Sequence, residues 1–338
     1  MAVSDLKRQV MQRLEGLAKK RLRRIALPEA GRDARLLAAA IEVARLGAAA
    51  PVLVGPRAEI VSLAAQQRLD ISGLAIFDPR EDDGTFARAY QERRASKEKL
   101  SEEEARTLLV RPEYFAALGV SRGEFDGCVC GAVMTSGEVV RVHVRCIGLK
   151  TCINTLSSFF VMIIPASAPV GERILLFADC AVVVEPTVEQ LTDIAIAACD
   201  LGAPLIGIQP RVAMLSFSTR ASAQHHTVTK MREAARLLKQ RRPDLPCDGE
   251  LQLDAALVPD IAKRKAPDSP LAGDANVLIF PDLDAGNIGY KLVQRLGHAD
   301  VIGPVLAGLA RPACDLSRGS SVQDIVDTII ITAAQANL

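Results

Sequence analysis

RIALPEAGRDARLLAAAIEVARLGAAAPVLVG, Arg24 to Gly55, sets the architecture. RIALPEA begins as a short apolar strand, RDARLLAAAIEVARLG is a strongly amphipathic helical segment, and PVLVG is a second short strand. Strand, helix, strand with links this short implies parallel pairing, because parallel neighbours need a crossover and a helix supplies it.

The same alternation runs outward in both directions. Upstream, Leu6, Val10, Met11, Leu14 and Leu17 share one helical face ahead of the basic run KKRLRR. A targeting or nucleic-acid arm is the sharper reading of that run, and a solvated face leading into the first strand is the preferred one. Downstream come helical segments at 57–68, 81–95 and 101–108, the strand FDGCVCG and the helix GEVVRVHVRCIGL. From Ser157 the chain turns apolar and β-like in SSFFVMII and ILLFADCAVVV. PTVEQLTDIAIAACDLG reads as a helix with Thr187 at its start and a glycine stop, RVAMLSFS as a strand, and TVTKMREAARLLKQRRPD as a long helix ended by Pro243. The pair DGELQLDAALVPDIAKRKA, the strand NVLIFPD, the helix AGNIGYKLVQRLG and the strand DVIGPVLAG complete the pattern. The fold class is therefore α/β with mostly parallel sheets, in which ligands sit outside the carboxyl ends of strands.

Length and composition bound the rest. At 338 residues the chain has room for about two domains. Lys+Arg and Asp+Glu nearly balance at 41 and 40, so no global field recruits nucleic acid or an acidic membrane. The first thirty residues lack a signal-peptide core, and no apolar run approaches the ~18 residues of a spanning helix, which points to the cytoplasm. Eight cysteines without paired C-x-x-C spacings argue for buried thiols, and Cys128-Val-Cys130, on one face of a strand, fits core packing better than chelation. His143, His225, His226 and His298 show no ligand spacing, so no metal is expected.

Four segments share one profile, an apolar strand that empties into small polar residues just before a helix: GCVCGAVMTSGEVVR, MLSFSTRASA, IFPDLDAGNIGYK and DLSRGSSVQD. Such junctions present N–H groups and hydroxyls to anions. None matches a phosphate loop, no G-x-G-x-x-G follows the first strand, and no G-x-S-x-G elbow is present. In the last junction Ser321-Val322-Gln323-Asp324 has the form of a capping box, which leaves Ser317, Arg318 and Gly319 without a structural reason.

RIALPEAGRDAR, FADCAVVVEPTVEQL, RVAMLSFST, the run from DGELQLDAAL to KLVQRL, and IGPVLAGLARPACDLSRGSSVQDIV, in that order, resemble the phosphate acetyltransferase (phosphotransacetylase) family, with its acetyl and butyryl branches. The resemblance runs from about residue 23 to the C-terminus and is densest from 177 onward. It implies two α/β/α domains flanking a deep cleft, similar to isocitrate and isopropylmalate dehydrogenases, with residues 1–151 plus 304–338 in the first and 152–303 in the second. It also implies exchange of an acetyl group between acetyl phosphate and the coenzyme A thiol. CoA, acetyl phosphate and inorganic phosphate are then the partners, no cofactor is bound permanently, and the chain is a homodimer.

Carried onto this sequence, the resemblance gives Asp324 the part of the base, Arg318 that of phosphate or carbonyl anchor, and Ser317 that of hydroxyl donor to the transition state. Arg141 and Arg94 become substrate-binding arginines, joined by Thr135 and Ser136, and Asn287 lies at a helix start that approaches the phosphate. The family motif S-G-A-x-H-[ST]-T-A-D-T-[VL]-R-P departs here to Cys130-Gly131-Ala132-Val133-Met134-Thr135-Ser136-Gly137-Glu138-Val139-Val140-Arg141-Val142. Cys130 and Met134 are thereby placed at the acyl or CoA end of the pocket. Val183-Val184 replaces a common Asn-Pro, and Asp284, where Asn is frequent, reads as an N-cap. Two rival readings are a phosphate propionyl- or butyryltransferase and a noncatalytic acyl-CoA-binding protein. The N-terminal helix could either cover a sheet edge or dock into a microcompartment shell.

Overall fold

The computed structural model describes residues 5–96 and 98–338. In chain order the strands are β1 (Arg24–Leu27), β2 (Ala50–Val54), β3 (Ala75–Phe77), β4 (Gly127–Cys130), β5 (Ser157–Ile164), β6 (Arg173–Ala178), β7 (Val212–Leu215), β8 (Cys247–Leu251), β9 (Val277–Ile279), β10 (Asp300–Ala307) and β11 (Ala313–Asp315). They divide between two compact units. The first comprises Met11–Lys150 with Leu309–Leu338, and the second comprises Thr151–Gly308 with the described residues up to Val10. Residues 304–308 fall in the second unit because β10 continues through Ala307 and pairs along its length with β5.

In the first unit the strand order is β11-β4-β1-β2-β3, every pair parallel. The Arg24–Gly55 stretch forms as its pattern requires. Asp33 caps the helix Ala34–Leu46 by accepting from the Arg35 N–H at 2.9 Å, and Gly47 closes it in the left-handed region at φ 62. Leu36, Leu37, Ala39, Ala40 and Val43 bury one face of that helix. The chain leaves β1 toward β2 and β3 on one side and returns to β4 and β11 on the other. The order therefore reverses between β1 and β4, and the crevice at their carboxyl ends is the place such a sheet offers a ligand.

The second unit carries the order β10-β5-β6-β9-β7-β8. β6, β9, β7 and β8 are parallel, whereas β10, β5 and β6 pair antiparallel, a mixed edge the sequence reading leaves out. The strand expected through ILLFADCAVVV stops at Ala178. Asp179 then bends the chain by accepting from the N–H groups of Ala181 at 3.0 Å and Val183 at 2.7 Å, with Ser158 Oγ at 2.5 Å. The helix capped by Thr187 does not stop at Gly202 but runs on to Ile206, and Gly207 ends it at φ 76.

The N-terminal helix, Asp5–Ala18, buries Val10, Leu14 and Leu17 within the chain. Asn337 Nδ2 donates to the carbonyls of Leu17 and Ala18, and Lys7 pairs with Asp300 at 3.0 Å. The other two apolar positions of that face, Leu6 and Met11, are half-buried. No helix among the described residues is long and apolar enough to cross a membrane.

Candidate active site

At the carboxyl ends of β1, β4 and β11 the first unit assembles one cluster of loops. Glu29, directly after β1 and fully buried, accepts four backbone hydrogen bonds from the loop that follows β4. Gly131 and Ala132 donate to one carboxylate oxygen at 2.8 Å each; Val133 and Met134 donate to the other at 3.0 and 2.8 Å. A buried carboxylate is tolerated only when so paired. The consequence is chemical as well as structural: these four N–H groups, which the sequence reading offered to an anion, are already taken. Positive charge for a phosphate must come from side chains.

Arg35 ties the same loop to the one after β11. Its guanidinium donates to the carbonyls of Ser320 at 2.6 Å, Arg318 at 3.0 Å and Ala132 at 3.3 Å, and it is held in place by Asp33 at 2.5 Å. Leu316 N–H donates to the Cys130 carbonyl at 2.7 Å, continuing the β4–β11 ladder past the strand ends. Gly131 has φ +106, and a Cβ there would collide with an Asp315 carboxylate oxygen and the Leu316 backbone, so the crossing of these two loops requires glycine.

On this frame stand the candidate catalytic side chains. Ser321 caps the helix Val322–Gln335, and Asp324 returns the bond, accepting through Oδ2 from the Ser321 N–H at 2.8 Å and from its hydroxyl at 2.9 Å. Asp324 is nonetheless exposed, and no bond among the described residues engages Oδ1. Ser317 is exposed and accepts from the Gly319 N–H at 3.3 Å, leaving its own proton to donate. Arg318 is exposed with no ion pair among the described residues. Across the β4–β11 boundary Thr135 caps the helix Ser136–Cys146 in a second capping box with Glu138. Arg141, one turn further along that helix, is exposed and likewise unpaired among the described residues. Burial pushes the Asp315 carboxyl up to about 6, which the nearby Ser136 hydroxyl only partly offsets.

Four sequence-expected residues are not in this group. Arg94 Nε is bound to Glu98 at 2.7 Å, and Arg145 holds the same carboxylate at 2.6 Å. Arg145 lies at the far end of the Ser136 helix, roughly 13 Å of helix rise from Ser136. Arg94 is thus a partly buried ion-pair member, tied through Glu98 to the last turn of the Ser136 helix. Cys130 and Met134 are corrected too: both side chains are buried in the hydrophobic core with Val139 and Val142, since alternation along β4 and the Glu29-bound turn direct them inward. Asn287 belongs to the second unit, where its side-chain amide donates to the Cys180 carbonyl at 3.0 Å. Asp284 is not the N-cap of its helix; Asp282 is, accepting from the Ala285 N–H at 2.8 Å.

Glu29, Arg35 and Asp315 are the site residues that sequence reasoning missed. Glu29 and Arg35 fall inside RIALPEAGRDAR, where a charged residue directly after an apolar strand was the available signal.

Residues 7–333 match the family described as phosphate acetyl/butaryl transferase. A phosphate acetyltransferase of Clostridium acetobutylicum is 46% identical over 321 residues, covering 94% of this chain and 96% of its own. A phosphotransacetylase from Streptococcus pyogenes superposes with a TM-score of 0.91 at 39% identity, covering 99% of both chains. A 4-hydroxythreonine-4-phosphate dehydrogenase from Klebsiella pneumoniae, 12% identical with a TM-score of 0.53 over 93% of this chain and 99% of its own, shares the fold alone.

Proposed function

The chain belongs to the phosphate acetyl/butaryl transferase family, and from that premise we propose that it is a phosphate acetyltransferase converting acetyl phosphate and CoA into acetyl-CoA and phosphate. The observation that carries the site is the presence of an exposed carboxylate, Asp324, and two uncommitted guanidiniums, Arg318 and Arg141, on the segments that follow β4 and β11, which Glu29 and Arg35 hold in place.

The chemistry runs as direct transfer. A CoA thiol with a pKa of roughly 8.5 is mostly protonated at neutral pH. Asp324, through its open Oδ1, accepts that proton as sulfur attacks the acetyl carbonyl carbon. The C–S bond forms, the carbonyl oxygen gathers negative charge, and the Ser317 hydroxyl with Arg318 donates to it. The C–O bond to phosphate then breaks and phosphate leaves on Arg318 and Arg141, whose planar forks suit its oxygens. Acetyl phosphate is already activated, so no covalent enzyme intermediate is needed.

The dimer is part of the same proposal. On the helix Leu283–Arg295 and just beyond it, Ile288, Leu292 and Leu296 are spaced four apart and are 56%, 52% and 74% exposed. Such a stripe suits burial against a second copy of the chain. The cytoplasm is the proposed location. The reading is tested by initial rates with both substrates varied: direct transfer in a ternary complex gives intersecting double-reciprocal lines, and parallel lines would instead require an acetyl-enzyme.

A further inference from the structure

On the core side of the loop after β4, Cys128, Cys130 and His143 bring two sulfurs and one ring nitrogen within 4.8 Å of one another. The placement follows from two periodicities. Cys128 and Cys130 are two apart on β4 and share a face. His143 lies in the buried stripe Val139, Val142, His143 and Cys146 of the Ser136 helix. All three are sealed from solvent, at 0%, 1% and 0% exposure. His143 Nε2 stands 3.5 Å from Cys130 Sγ, and Nδ1 has no hydrogen-bond partner among the described residues. A buried polar atom left so costs about 1–3 kcal/mol and calls for an explanation. Acyl transfer supplies none, since all three are sealed from solvent and so from substrate.

We propose that Cys128, Cys130 and His143 form a three-donor site for a soft cation of the Cu(I) type, fastening β4 to the Ser136–Cys146 helix. Two sulfurs and an imidazole select soft or borderline metals over Mg²⁺ or Ca²⁺. Structural zinc takes four ligands, and no fourth Cys, His or carboxylate joins this group among the described residues. Three donors in an apolar pocket suit three-coordinate Cu(I). Metal–ligand bonds of about 2.0–2.3 Å place donors roughly 3.5–4 Å apart, so the widest pair closes by about an ångström. Each copper–thiolate bond displaces one thiol proton to the buffer, and copper keeps its oxidation state. Thr135, Ser136 and Arg141 ride on the helix that the ion fastens, which couples metal occupancy to substrate binding.

The test is anaerobic titration of the full chain with Cu(I) against a competing chelator, in a Cys152→Ser background that removes the exposed thiol. The expected result is one ion per chain, a sulfur-to-copper charge-transfer band in the near ultraviolet, and X-ray absorption showing sulfur and nitrogen donors. Cys130→Ser is expected to weaken binding by about a hundredfold or more. Cys199→Ser, which removes a buried thiol outside the cluster, leaves binding unchanged. Should Cys130→Ser not fold, His143→Gln provides the same comparison through the nitrogen donor. Equal affinity in Cys130→Ser or His143→Gln, or no stoichiometric Cu(I) binding by the Cys152→Ser chain, overturns the proposal.

Discussion

On the proposed mechanism Asp324 carries two functions on one carboxylate, and its two oxygens separate them: Oδ2 completes the capping box with Ser321, while Oδ1 of this exposed residue has no hydrogen bond among the described residues. Asparagine at this position keeps an acceptor for the cap and loses the base. Asp324→Asn is therefore expected to change stability by less than about 1 kcal/mol while lowering kcat by about 10²–10⁴, read from thermal melts beside steady-state rates. Glu29 offers the opposite case, a buried group with no chemistry of its own. Glu29→Gln replaces a two-oxygen acceptor of four N–H bonds with one oxygen and an amide that faces donors. A loss of about 3 kcal/mol or more in urea unfolding is expected. Asp315 sets a pH dependence. Its folded value of about 6 lies above the ordinary 3.8, so protonation favours the folded state. Its contribution is fully present below about pH 4 and is lost as pH rises through 6, amounting to about 3 kcal/mol at most. Burial is the main cause, Glu29 adds to it, and Ser136 and His143 oppose it. Asp315→Asn should flatten the stability profile between pH 4 and 7, and an unchanged slope would show that another group is responsible.

At the scale of elements, the site is two capped helices and three strand ends clamped by Arg35. Its guanidinium reaches carbonyls on both the β4 and β11 loops, so Arg35→Ala frees the Ser317–Ser320 loop without touching a reacting group. A rise in KM for acetyl phosphate of about tenfold, with a smaller change in kcat, is the signature of a positioning residue. Capping boxes and strand–helix alternation were legible in the sequence because they are local: Ser321-x-x-Asp324 and Thr187-x-x-Gln190 both form as their spacing implies. The helix Pro112–Arg122 was not read, because it is buried from Glu113 to Val120 and so lacks the polar face that periodicity detects. The edge strand Ala75–Phe77 is too short to register. Long-range clamps escaped for a different reason. Glu29 meets a loop a hundred residues away, and no local pattern announces that contact. The same limit put Cys130 and Met134 in the pocket, when the turn around Glu29 sends them into the core.

For the whole molecule, the resemblance supplied what local pattern could not, namely the acyl-transfer chemistry and the proposal that Ser317, Arg318 and Asp324 carry it. The departures in the Cys130–Val142 motif leave that chemistry intact on this account, because the altered side chains at 130, 134 and 142 are all buried while Thr135, Ser136 and Arg141 remain at the surface. Association is the second property at this scale. Placing aspartate at Leu292, in the middle of the exposed apolar stripe, should convert a dimer to monomer in sedimentation velocity, and a wild-type monomer would remove the stripe from consideration. The central claim is catalysis at the β4–β11 loops. Its most direct measurement is acetyl-CoA formation from acetyl phosphate and CoA by the purified chain beside Arg318→Ala and Asp324→Asn. Turnover by the wild-type chain that falls at least about a hundredfold in both folded variants is the predicted result; turnover undiminished in either variant, or none in the wild-type chain, would contradict it.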